Sequence, residues 1–135
     1  MIPSAEEVIT ELLKADDAVA AITTRIRPKT PKTLDEPWVR LTLLDDPPTD
    51  GGITNHHIEA YVDLECFAGE AGNQSTADNL SRAVIDALWT GHQQDLESGV
   101  ITGPARWRRS RRPDQQHEPA MERYVVSATV WIRSK

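Results

Sequence analysis

Apolar residues recur at helical spacing near the start of the chain. Val8, Ile9, Leu12 and Leu13 fall on one stripe, and the preceding "SAEE" pairs Ser4 with Glu7 as a capping box. A second short turn is predicted in "DDAVAAIT", with Asp16 as its cap and Val19 and Ile22 facing inward. Residues 25–37 hold three prolines and no period, which predicts an extended, irregular arm. "WVRLTLLD", residues 38–45, then reads as a strand, and "DPPTDGGITN" as a long loop at a hairpin tip. The most regular alternation lies in residues 57–68. Ile58, Ala60, Val62, Leu64 and Cys66 point one way, and Glu59, Tyr61, Asp63, Glu65 and Phe67 the other. A helix is predicted from about Thr76 to Trp89, with Ala77, Leu80, Val84 and Leu88 on one side and Gly91 as its stop. "GVITGPARWRRS" reads as a third strand interrupted by a bulge at Gly103-Pro104. "MERYVVSATVWIR" reads as the fourth, with Tyr124, Val126, Ala128, Val130 and Ile132 on one face.

The order helix, hairpin, helix, hairpin predicts an α+β fold. Its sheet is mainly antiparallel and four-stranded, with two main amphipathic helices packed on one face. The second face of that sheet must then meet solvent or another subunit.

The 135 residues suit a single domain over 1–135. Such a chain buries roughly two-thirds of its unfolded surface without a disulfide or a metal. One cysteine, Cys66, permits no internal disulfide. No signal peptide and no membrane span are expected, so the chain reads as soluble and intracellular when made. The formal net charge is -6, but it is split. Residues 1–100 hold 18 acidic and 7 basic side chains, a net of -11. Residues 101–135 hold 3 acidic and 8 basic ones, a net of +5. A split of this kind points to nucleic acid or to self-complementary association.

Chemistry-bearing groups are sparse. His56 and His57 are adjacent, and neighbours on a strand point to opposite faces, so they are not expected to share a metal. His92 and His117 fall in loops. Cys66 lies between apolar neighbours and reads as a small buried hydrophobe. Glu59, Asp63 and Glu65 share a strand face. A carboxylate pair can act as acid and base or hold Mg²⁺, but no accompanying motif points that way. Phosphate-loop, dinucleotide, nucleophile-elbow and zinc-protease motifs are absent. Neither an enzyme nor a cofactor is expected.

The most conspicuous cluster is "RWRRSRR": Arg106, Arg108, Arg109, Arg111 and Arg112 around Trp107. Arginine tracks phosphate and tryptophan stacks on bases, so nucleic-acid binding is one reading. The sequence pI near 5.1 argues against it. The alternative sets Arg106 and Arg108 on one strand face and Trp107 and Arg109 on the other. Arginines of the cluster then pair with Glu59, Asp63 and Glu65, within the subunit or across an interface.

The succession "EEVITELLKADDAVAAI", "RIRP", "PWVRLTLLDD", "HIEAYVDLECFAG", "ADNLSRAVIDAL", "GVITG" and "ERYVVSATVWIR" resembles the small tail-terminator, or tail-completion, proteins of long-tailed bacteriophages. The resemblance implies a structural virion protein without catalytic residues. Its subunits would form a homo-hexameric ring that caps the tail tube, stops its growth and presents a surface for head-tail joining. It also implies three partners, namely further copies of itself, the tail tube protein and a head-tail connector protein. DNA would be only passing cargo in the lumen, and no membrane would be involved. Such a protein sits at the head-proximal end of the virion tail and assembles in the host bacterial cytoplasm. Two other readings stay open: a head-to-tail connector component, and a small nucleic-acid-binding protein using residues 106–112.

Overall fold

The computed structural model describes residues 4–44, 57–70, 72–116 and 120–135. The loop expected over "DPPTDGGITN" lies outside the described residues, as do Asp45, His56 and His117. For His57 only the backbone is described.

Helix α1 spans Ala5–Ala15. Ser4 caps it by accepting from the Glu7 backbone N–H at 3.3 Å, which is one half of the expected capping box. Asp16 closes α1 and caps the short helix α2, Asp17–Ala20, by accepting from the Val19 N–H at 3.0 Å. Strand β1, Ile26–Arg27, opens the proline arm and pairs in parallel with β2, Trp38–Leu43. The arm is therefore a strand where it begins. It returns to the sheet because Arg25 holds the carbonyls of Thr33 and Glu36. Strand β3, His57–Phe67, pairs antiparallel with β2 and with β6, Arg123–Arg133. Helix α3, Gln74–Thr90, starts two residues earlier than the periodicity implied, behind an Asn73–Thr76 capping box. Gly91 ends it, but in an ordinary right-handed conformation. A Cβ there would stand 2.8 Å from the Leu12 side chain, so close packing against α1 explains the glycine.

The third strand divides. β4, Val100–Ile101, and β5, Arg106–Arg111, both pair antiparallel with β6. The four residues from 102 to 105 lie opposite only Val130 and Trp131 of β6, so the Gly103-Pro104 stretch is a bulge. The described residues form one sheet of six strands in the order β1-β2-β3-β6, with β4 and β5 along the far side of β6. The four-stranded expectation is corrected by the pairs β1 and β4, each two residues long. Pairs that short leave no periodic trace in a sequence.

Val8, Ile9, Leu12 and Leu13 of α1 and Leu80, Val84 and Leu88 of α3 form one core with Val62, Leu64, Val126 and Val130. The helices thus share one face of the sheet. Among the described residues no helix covers the opposite face, and one part of it is buried. Phe67, predicted on the polar side, is on that side but buried. It stacks on Trp38 with ring centroids 4.4 Å apart, and Leu34 of the arm and Met121 complete the cluster.

Candidate functional site: the arginine edge of the sheet

β5 runs along one edge of the sheet. Its register pairs Arg106 with Thr129, Arg108 with Ser127 and Arg111 with Tyr124 of β6. Among the described residues no strand pairs with its other side. Strict alternation then sorts the cluster. Arg106, Arg108 and Ser110 share rows with Thr129, Ser127 and Val125 on the outer face. Trp107, Arg109 and Arg111 share rows with Ala128, Val126 and Tyr124 on the helix face. Charged side chains on an exposed edge strand discourage adventitious strand pairing, which gives the cluster a first physical role.

The helix-face arginines are engaged within the subunit. Arg109 donates from Nη1 to Asp78 of α3 and to Ser81 Oγ at 3.1 Å, and its guanidinium lies 4.8 Å from the Tyr124 ring. Desolvation pushes the Asp78 carboxyl up, but hydrogen bonds from Arg109 and then Arg82 outweigh it and hold the group below its ordinary range. Arg111 forms a fork with Glu122, Nε to Oε2 at 3.1 Å and Nη2 to Oε1 at 2.8 Å. That bond raises the Arg111 guanidinium above its ordinary value. Arg112 contributes its backbone: its N–H donates to Arg123 O and its carbonyl accepts from Arg123 Nε.

The outer-face arginines differ. The Arg106 guanidinium sits 6.0 Å from the Trp131 ring. Arg108 makes no ion pair or hydrogen bond among the described residues. Both border a groove of about 260 Å³ lined by Leu44, Tyr61, Trp107, Ser127, Ala128 and Thr129. Short hydroxylated side chains form its floor. Leu44, Tyr61 and Trp107 on its rim are 51%, 37% and 47% exposed.

The three carboxylates are placed on the outer face of β3, as expected, but within the subunit none of them meets the cluster. β6 separates β3 from β5, so the neighbours of Glu65 come from β2 and β6. Glu65 accepts from Arg40 Nε at 2.9 Å and Nη2 at 2.8 Å, and from Arg123 Nη1 at 2.8 Å. The same bonds raise the Arg40 guanidinium above its ordinary value. Both arginines also lie over the Phe67 ring, at 5.3 and 5.6 Å. Asp63 accepts from Ser127 Oγ at 2.7 Å. Glu59 stands opposite Trp131 and has no ion pair among the described residues. Arg40 and Arg123 were not singled out by sequence reasoning. Their only signal is a cation at an outward strand position.

A second charged surface lies on the helix side. Glu6, Glu7 and Glu11 of α1, with Asp95 and Glu97, line a cleft of about 790 Å³. Glu11 is held there by the Ser98 hydroxyl at 2.6 Å and by the backbone N–H groups of Glu97 and Ser98. The Ser98 hydroxyl bond leads in lowering its carboxyl below the usual 4.5, and with the backbone N–H bonds it outweighs an opposing desolvation. Lys135 Nζ reaches Asp95 at 3.2 Å.

Among the described residues no group of three or more His, Cys, Asp or Glu side chains converges as a metal set. His92 lies half-buried in the turn after α3 with its Nδ1 unpartnered. Cys66 is fully buried on the core face, and burial pushes its thiol well above the ordinary value. No helix among these residues is long and apolar enough to cross a membrane.

Residues 7–133 match the family model described as tail completion protein gp17. No curated protein matches the chain. Among solved structures, a chain of the virion of a native gene transfer agent particle superposes with a TM-score of 0.61 at 18% identity. The match covers 97% of this chain and 96% of that one, and the two share a fold.

Proposed function

The chain belongs to the tail completion protein gp17 family, structural proteins of the phage tail, and on that premise we propose that it forms a ring on the tip of the tail tube. The ring ends tube polymerisation at the head-proximal end and offers the surface on which the head connector docks. It is thus a virion component, assembled in the host cytoplasm, with DNA passing through its lumen. The observation that carries this reading is the extent of the family match, which runs from within α1 to the end of β6. A sheet with one face half open supports it, because a closed ring needs two different complementary patches on each subunit. The shared fold with a virion protein of a gene transfer agent adds to that support.

The nucleic-acid reading loses ground on one observation. Arg109 and Arg111 are spent on Asp78 and Glu122, so the phosphate grip shrinks to Arg106, Arg108 and Arg112 on an acidic chain.

The test is a phage deleted for this gene. Tails of unregulated length that fail to join heads are the expected result. Tails of normal length that fail to join heads favour a connector component. Tails of normal length on filled heads refute both. Negative-stain images of the purified protein should show rings with an open centre.

A further inference from the structure

We propose that the groove at the arginine edge receives the acidic α1 surface of a second copy of this chain. The inference rests on the ring reading and adds to it which two surfaces meet. Arg106 and Arg108 are the cations of β5 that face outward and, among the described residues, meet no carboxylate. They stand two residues apart on β5, so both side chains point the same way over a floor of Ser127 and Thr129. Around them Leu44 and Tyr61 keep a third to a half of their surface exposed, and Trp107 closes the strand edge from the other face. Arginine beside an exposed leucine and an exposed aromatic ring is the composition of an interface core, not of a solvated rim.

The complement is present on the same chain. Glu6, Glu7 and Glu97 line the cleft of about 790 Å³ and make no ion pair among the described residues. On β3, Glu65 is already bonded to two arginines and Asp63 accepts from Ser127, which leaves Glu59 as one carboxylate without an ion pair there against three in the cleft. The two surfaces cannot meet within one subunit. The groove opens on the outer face of the sheet, whereas α1 packs on the inner one. Their contact is therefore between copies and joins unlike patches, which is the geometry that propagates around a ring. Opposite charge also sets the register and speeds the encounter.

Full-length protein would be prepared in four forms: wild type, Arg106→Glu with Arg108→Glu, Glu6→Arg with Glu7→Arg, and all four changes together. Arg106, Arg108 and Glu7 are exposed and Glu6 is half-buried, so each form should still unfold cooperatively, with a small loss in the α1 pair because two cations replace two anions in the first turn of the helix. Ring formation is read by negative stain and sedimentation, and tail completion by complementation of the deleted phage. Each reversed pair is expected to lose rings and completion, and the fourfold exchange to regain them. Reversed pairs that assemble and complete tails as wild type does overturn the inference and leave the ring reading standing. Loss that the fourfold exchange does not repair overturns the assignment of the α1 surface as partner. A deleted phage that still finishes tails of normal length removes the ring reading, and this inference with it. Submicromolar binding of short duplex DNA at about 0.15 M salt, abolished by the arginine pair change, would assign the groove to phosphate instead.

Discussion

Glu65→Ala isolates the cost of emptying the one carboxylate that two strands converge on. The side chain is 15% exposed, and its partners Arg40 and Arg123 are 30% and 20% exposed. It accepts three charge-assisted hydrogen bonds at 2.8 to 2.9 Å. Removing one partner of a fully buried ion pair costs about 3–5 kcal/mol, because the other charge is left uncompensated. Water reaches both arginines here, so a loss of about 2–3 kcal/mol is expected. Two guanidinium groups also remain over the same Phe67 ring with no anion between them. For a domain of this size one kcal/mol moves Tm by about 3–5 °C, so the variant should melt about 6–15 °C below the parent. Urea denaturation followed by circular dichroism gives the free energy directly. A double-mutant cycle with Arg40→Ala should return a coupling of about 1 kcal/mol or more. Glu59→Ala is the control from the same strand face, and a change within about 0.5 kcal/mol is expected there. A loss below about 0.5 kcal/mol for Glu65→Ala would refute the argument. The cluster would then be a solvated surface pair.

Three further outcomes follow from burial and hydrogen bonding. Val62, with no exposed surface at the centre of the core, should not tolerate Val62→Asp. A buried unpaired charge there costs more than about 4 kcal/mol, and a variant that melts like the parent would mean the faces of β3 are misassigned. Cys66 should resist a thiol reagent in the native protein and react at the ordinary rate in denaturant, because burial raises its thiol and blocks access; rapid native labelling would contradict this. Glu11 has a depressed folded-state carboxyl, so its contribution is present above the usual 4.5 and is lost as pH falls through the lower folded value. Glu11→Gln should therefore flatten the acid limb of a stability-against-pH curve, and an unchanged slope would count against the Ser98 contacts.

The parts of this protein legible in its sequence are those governed by neighbours along the chain. Side-chain alternation is a property of a single strand, so Val62, Leu64, Val126 and Val130 could be placed on one face, and Arg106 and Arg108 opposite Arg109, without knowing any partner strand. Caps are local too, and Ser4 and Asp16 do what their positions imply. Strand order is not local. It depends on which pairings bury the most apolar surface at once, and here it inserts β6 between β3 and β5. That single choice sends Glu65 to Arg40 and Arg123, leaves Arg106 and Arg108 without a carboxylate among the described residues, and removes the within-subunit form of a pairing that was expected either inside the subunit or across an interface. Trp38 and Phe67 make the same point: each sits at a polar-face position of its own strand. Only the returning arm, with Leu34, and Met121 from the other end of the chain make that position a buried one.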